Sequence, residues 1–263
     1  MAERVGLEVA ETRLPGPVPR WEVPGWRERF GVVAGITGRG ERDGEFDLGL
    51  WTSQPVGQVS TRWREFLRAE PGFTGAALSH QVHGTQVAWS NAPTAGWTIR
   101  GGVDGHLTGA LGILLLVTVA DCIPVYLVDP KRRLIGLLHA GWRGVAGGIL
   151  ARGVEQLVMV GATSPADLVM HCGVGISGHC YEVGPEVLAA CGKPGSEGPA
   201  GLDLRSLLRE QGAGLGIPEI TVSSWCTSRD AGTFFSHRRS GGSDGRQVAY
   251  LGWPGSDPHA SIL

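Results

Sequence analysis

The stretch Thr118–Gly144 restricts this chain more than any other part of it. It contains two apolar runs too short for buried helices and rich enough in β-branched residues to be buried strands. The first leads in through Ala120-Asp121-Cys122 and continues past Pro124 to Val128. The second, Leu134 to Leu138, delivers His139 into Gly141-Trp142-Arg143-Gly144. Asp129-Pro130 between them is turn chemistry. A thiol and an imidazole at the ends of rigid, buried elements are what a transition-metal site or a nucleophile requires. A third candidate lies upstream in His80-Gln81-Val82-His83-Gly84.

The elements around this stretch are mixed. Phe30–Ile36 reads as a strand ending in Thr37-Gly38-Arg39-Gly40. A glycine-flanked arginine exposes backbone N–H groups beside a fixed cation, which suits an anion, although a solvated turn has the same pattern. A helix is expected over Val56–Ala69, and strands over Ala76–Ser79 and Thr85–Trp89. Val103-Asp104-Gly105 reads as a turn. Val145, Ile149, Val154, Leu157 and Val158 have helical spacing, so Val145–Val160 should be one helix. Leu168–His171 and Ile220–Val222 read as strands, Val183–Ala190 and Asp203–Gln211 as short helices. Thr233–Arg239 and Gln247–Leu251 look like a closing hairpin. Residues 1–26, rich in Pro and Trp, are expected to wrap over the surface. Strands and helices do not alternate regularly, so the expected fold class is α+β, with layered mixed β-sheets flanked by helices. The length fits one large domain or two small halves, and a single domain over 1–263 is the expectation adopted.

Composition narrows the function classes. With 42% hydrophobic and 18% charged residues, 263 residues suffice for a packed core. A net charge of −2 gives no basic excess, so nucleic acid is not the expected partner. Five cysteines with no C-x-x-C pair argue against a disulfide framework and for a reducing, cytoplasmic setting. Met1–Arg20 has charges and prolines but no apolar core, so no signal peptide is expected. Gly109–Val128 is apolar enough to resemble a membrane span, but Asp121, Pro124 and the β-branched residues favour buried strands.

Several chemistries compete for the candidate residues. Gly173-Val174-Gly175-Ile176-Ser177-Gly178 matches G-x-G-x-x-G, yet Gly184-Pro185 stands where a helix should follow. A tight loop lining a pocket fits better than a dinucleotide fingerprint. Cys122 with His139 and Asp121 holds the parts of a cysteine nucleophile. His83, Cys122 and His139 together would make a three-ligand zinc site with an open position, the catalytic arrangement. A copper site is the rival, since copper outcompetes zinc at most ligand sets. Eight histidines without one H-x-H pair do not suggest several coppers.

Gln81-Val82-His83-Gly84, Ala120-Asp121-Cys122-Ile123-Pro124-Val125, His139-Ala140-Gly141-Trp142-Arg143-Gly144, Cys180-Tyr181-Glu182-Val183-Gly184 and Phe234-Phe235-Ser236-His237-Arg238-Arg239 occur in this order. Together they resemble the YfiH-type, laccase-domain family, whose members are also named polyphenol oxidase or peptidoglycan editing factor. The resemblance runs from about Gly31 to Trp253. It implies a mixed α/β sandwich with zinc on His83, Cys122 and His139. It also implies phosphorolysis of purine nucleosides, methylthioadenosine included, and deamination of adenosine. Arg39 resembles an arginine-glycine segment near the family's site and is the expected phosphate contact. Three positions depart from the family pattern. Asp47 stands for a usual Asn, Val174 for a common Pro and His237 for a common Tyr; a pocket-lining Asp47 would weaken phosphate binding.

The expectation is therefore a zinc enzyme acting on small-molecule purine nucleosides and phosphate, with no nucleic-acid or membrane partner. A copper-dependent polyphenol oxidase and a peptidoglycan-editing hydrolase using Cys122 and His139 are the alternatives. Nothing in the sequence gives the oligomeric state.

Overall fold

A computed structural model of the chain describes residues 4–41, 46–90, 95–193, 195, 197–257 and 259–262. In chain order the strands are β1 (Arg4–Val9), β2 (Thr12–Arg13), β3 (Arg20–Glu22), β4 (Val33–Thr37), β5 (Gly75–His80), β6 (Val87–Trp89), β7 (Gly96–Gly101), β8 (Gly105–Thr108), β9 (Ile113–Val119), β10 (Ile123–Asp129), β11 (Leu134–Ala140), β12 (Val169–Cys172), β13 (Glu182–Val183), β14 (Ala200–Gly201), β15 (Glu219–Ser223) and β16 (Gln247–Gly252). The helices are α1 (Trp26–Phe30), α2 (Val56–Ala69), α3 (Trp142–Gly147), α4 (Ile149–Gly161), α5 (Pro185–Ala190), α6 (Leu204–Gly214) and α7 (His237–Ser240).

Two seven-stranded mixed sheets form the body, in the orders β1-β15-β12-β10-β11-β8-β6 and β2-β3-β4-β16-β9-β5-β7. Side-chain alternation along each central strand shows how they stack. On β10, Tyr126 and Val128 point into the core shared with Leu115, Val117 and Val119 of β9. Ile123, Val125 and Leu127 point the other way, onto α4 and α6 through Ile149, Val154, Leu157 and Leu208. On β9, Leu114 and Leu116 face α2 through Trp63, Phe66 and Leu67. The result is helix, sheet, sheet, helix. Strands covered on both faces must be apolar nearly throughout, which is why Ile113–Val119, Ile123–Val128 and Leu134–Leu138 read as nearly continuous hydrophobic runs. No helix among the described residues is long and apolar enough to cross a membrane.

The expected α+β layering is what the chain adopts, with corrections. Residues 4–26 run along the periphery: β1 is an edge of one sheet, β2 and β3 lie at the edge of the other, and Trp21, Val23 and Trp26 are buried. The expected single helix over 145–160 is two, α3 and α4, because Gly148 adopts φ 82° between them. Phe30 ends α1 instead of starting a strand.

The closing hairpin is absent. Strand β16 pairs with β4 and β9, and 237–240 is a helical turn capped by Ser236, whose side chain accepts the Arg239 N–H. The Gln247 amide takes the strand partner's place: Phe235 N–H donates to its Oε1 at 2.7 Å and its Nε2 donates back to Phe235 O at 3.2 Å.

The hairpin β10–β11 positions the site. Its register sets Ile123 opposite Ala140 and Pro124 opposite His139. Cys122, one residue before β10, and His139 therefore arrive at the same end of the hairpin.

Candidate metal centre and its cavity

Donor atoms of His83, Cys122 and His139 lie within 4.8 Å of one another. His139 comes from β11 and is almost fully buried, Cys122 is half-buried and His83 is exposed. The two imidazoles meet edge to face, with centroids 4.8 Å apart.

His83 is brought in by a loop that needs outside help. It has φ 58°, a left-handed conformation unusual for a residue with a side chain. Asp104 stabilises the loop. Its fully buried carboxylate accepts the N–H of Val82 at 3.3 Å, of His83 at 2.9 Å and of Gly84 at 2.7 Å. Three successive N–H groups around one anion form a nest, filled here by the chain's own carboxylate. Gln81 secures the other side, its amide exchanging hydrogen bonds with the Thr118 backbone at 2.8 Å in each direction.

The same Asp104 fixes His139. His139 Nδ1 lies 2.9 Å from Asp104 Oδ1, and its backbone N–H donates to Asp104 O at 2.7 Å. With Nδ1 donating to the carboxylate, Nε2 is the atom left to face Cys122. Burial alone would raise the Asp104 carboxyl; the His139 ring and the loop N–H groups outweigh it and hold it below its ordinary value.

Electrostatics favours a thiolate. Burial pushes the Cys122 thiol up, but His139 first and His83 second overcome that and bring it down to about 6. Burial likewise opposes charge on His139, yet the Cys122 and Asp104 anions raise it to about 9. Gly141 leaves the space: a Cβ there would stand 3.0 Å from both Cys122 Sγ and His83 Cδ2. One thiolate and two imidazoles with room between them fit a single transition-metal ion.

Asp121 has φ 93° and is bonded on both oxygens, by Thr227 Oγ1 and by the Arg238 N–H, each at 2.6 Å. It thus ties the 227 loop and α7 to the residue before the thiolate. The G-x-G-x-x-G loop packs beneath it, where a Cβ on Gly175 would meet Asp121 O at 2.8 Å. Its glycines serve close backbone approach, not phosphate.

The cluster opens into a cavity of about 500 Å³. Arg143, Arg238 and Arg246 line it, as do Trp51, Trp142 and Tyr181. Arg143 rests on the Trp142 ring at 4.3 Å and Arg238 on Tyr181 at 4.7 Å.

Arg39 is elsewhere. Its Nη2 donates to both carboxylate oxygens of Asp244, at 2.5 and 2.6 Å, and it stacks on Phe235 at 4.6 Å. It does not line the cavity. The loop N–H groups expected to be free are taken too, Gly38 donating to Pro19 O and Arg39 to Thr233 O. Asp47 is buried outside the cavity and accepts the N–H groups of Gly49 and Arg246 at 2.7 and 2.8 Å. Sequence reasoning thus joined the three clustered side chains but missed Asp104, which reads as a turn residue, and the cavity arginines, whose only signal was membership in the Trp142-Arg143 and Arg238-Arg239 runs.

The fold and site together define a class: a two-sheet α+β sandwich with a His–Cys–His cluster in an arginine-lined cavity. A family model described as multi-copper polyphenol oxidoreductase laccase matches residues 37–254, and the chain belongs to this laccase-domain family. It is 34% identical over 248 residues to purine nucleoside phosphorylase YlmD of Geobacillus stearothermophilus, covering 84% of this chain and 90% of that one. It is 36% identical over 159 residues to a protein named adenosine deaminase RL5, from an unknown prokaryotic organism, covering 55% and 60%. The crystal structure of Bacillus licheniformis hypothetical protein YfiH matches with a TM-score of 0.83 at 28% identity, covering 91% of this chain and 98% of that one.

Proposed function

We propose that this protein is a zinc-dependent purine nucleoside phosphorylase, acting on inosine, adenosine, guanosine and methylthioadenosine, and that the same site deaminates adenosine. The observation that carries the reading is the cluster of one thiolate and two imidazoles inside a cavity lined by three arginines. The names of the relatives point the same way. His83, Cys122 and His139 would hold the ion. When bound, zinc supplies a Lewis acid and lowers the pKa of a bound water to roughly 7.

The chain's own residues do the rest. Asp104 holds the His139 tautomer and the His83 loop. Arg143 and Arg238, oriented by the rings beneath them, donate to phosphate oxygens, and such charge-assisted bonds are the strong ones. Phosphate held there attacks the ribose C1′. The glycosidic bond breaks, and the purine leaves with the bonding pair and takes up a proton. In deamination, water replaces the exocyclic amine and ammonia leaves. All five cysteines are unpaired, which suits a reducing cytoplasm.

The family description favours a second reading, a copper-dependent phenol oxidase. Multi-copper chemistry needs several metal clusters, and one such group is present among the described residues. One sample decides between them: metal content by mass spectrometry, inosine cleavage with and without phosphate, and oxygen uptake with a phenol. We expect zinc, hypoxanthine with ribose 1-phosphate only when phosphate is present, and no oxygen uptake. Equal cleavage without phosphate, or copper with phenol-driven oxygen uptake, refutes the proposal.

A further inference from the structure

Three aromatic side chains line the cavity, and they are not equivalent. Trp142 and Tyr181 each carry a guanidinium on one ring face. Trp51 carries none among the described residues. Its ring neighbour is the His80 imidazole, with centroids 4.9 Å apart and planes tilted by 57°. The residue is 50% exposed. An indole half in water at a cavity wall is a large apolar surface without a flat partner.

Nor does the fold need that ring. The loop that carries it is held by its backbone. The Gly49 N–H donates to the buried Asp47 carboxylate, Trp63 Nε1 donates to Leu48 O at 3.0 Å, and Thr52 Oγ1 donates to Gly49 O at 3.0 Å. Gly49, Leu50 and Thr52 also line a separate apolar cavity of about 360 Å³, so the loop is a partition between two spaces. An apolar refuge lies alongside, yet Trp51 lines the cavity of the metal cluster and not that one.

Resting on the phosphorylase reading above, we infer that Trp51, backed by His80, is the platform on which the purine base stacks. Phosphate is then left to the guanidiniums on Trp142 and Tyr181. Stacking of a base on an indole is tolerant of exocyclic groups, because every purine presents the same kind of π face. The platform therefore gives affinity for purines as a class and does not choose among hypoxanthine, guanine and adenine. It deepens the site by naming a positioning residue for the base.

The test is calorimetric binding of inosine, guanosine and methylthioadenosine in phosphate-free buffer, followed by steady-state phosphorolysis, on the zinc-loaded wild type, Trp51→Ala and Trp51→Phe. We expect Trp51→Ala to weaken all three nucleosides together, roughly 5- to 150-fold in Kd and KM. The KM for phosphate and the melting temperature should not move, and Trp51→Phe should restore most of the affinity. The inference is overturned if nucleoside affinity is unchanged in Trp51→Ala, if one nucleoside alone is affected, or if the phosphate KM rises equally. A wild type that binds none of the three overturns the phosphorylase reading and the platform with it.

Discussion

Replacing Asp104 by Asn should show how much of the candidate metal centre rests on one carboxylate. Oδ1 serves the His83 N–H and His139 Nδ1, both at 2.9 Å. Oδ2 serves the Gly84 N–H at 2.7 Å and the Val82 N–H at 3.3 Å. An amide has one oxygen, so whichever way Asn turns, its NH₂ confronts two donors. Two hydrogen bonds to a charged acceptor are lost, each worth about 1.5–3 kcal/mol. Relaxation of the loop lessens the sum, and about 3–5 kcal/mol is the cost expected for breaking a buried charged network. For a chain of this size each kcal/mol lowers Tm by roughly 2–4 °C, so a drop of about 6–20 °C is expected. Both imidazoles lose their orientation, and zinc affinity should fall roughly 10- to 100-fold. Thermal melts of the metal-free protein and zinc competition against a chelator measure the two effects separately. A variant that melts within about 2 °C of wild type and holds zinc equally well would refute the assignment of Asp104 as organiser of the site.

Cys122→Ala should remain folded and soluble, since the chain buries its own core without a metal, but should carry little zinc and almost no phosphorylase activity. Metal analysis of the purified variant checks this, and a metal-free, fully active wild type would contradict it. Arg39→Ala should lower Tm through loss of the Asp244 pair and leave the phosphate KM alone. Arg143→Ala should do the reverse, raising that KM by roughly one to two decades; steady-state kinetics on both variants tests the contrast. His106 supplies a pH prediction away from the His–Cys–His cluster. It is fully buried with both ring nitrogens unpartnered among the described residues, and burial first, Arg100 second, push it down to about 4. The folded chain keeps it neutral to about pH 4, while the unfolded chain takes up a proton from about 6.5 downward. Stability is therefore full above about 6.5 and is lost on acidification through that window, by roughly 3 kcal/mol. Urea titrations from pH 7 to 4 should show His106→Leu losing less stability than wild type, and parallel curves would count against it.

The central strands were legible because burial on both faces leaves no choice of residue. Ile123, Val125 and Leu127 meet α4 and α6 while Tyr126 and Val128 meet the other sheet, so every position from Ile123 to Val128 is apolar whatever the strand's partner. Where backbone pairing is replaced by a side chain, the pattern misleads. Phe234-Phe235 and Gln247–Leu251 both look like strands. Only the tertiary structure reveals that the Gln247 amide satisfies Phe235, leaving β16 free to pair with β4 and β9. The break at Gly148 was visible as a glycine but not as a left-handed one, since a helix tolerates an isolated glycine at modest cost.

For the site, residue type carried the three clustered side chains and failed on their supports. Thiolate and imidazole are the side chains that metal and nucleophile chemistry draw on, so Cys122, His83 and His139 stand out as candidates in any fold that joins them. A carboxylate or a guanidinium does not, because either is used as readily for structure as for chemistry. Arg39 and Arg143 show this. Each stands beside a glycine, and each rests on an aromatic ring, Phe235 for one and Trp142 for the other. What separates them is Asp244, 205 positions from Arg39 in the chain and in contact with it through the fold. Asp244, which also accepts from Arg239 at 2.9 Å, engages the Arg39 guanidinium, whereas Arg143 meets no carboxylate among the described residues and lines the cavity. The availability of a cation is a property of its neighbours, and a single sequence does not list neighbours.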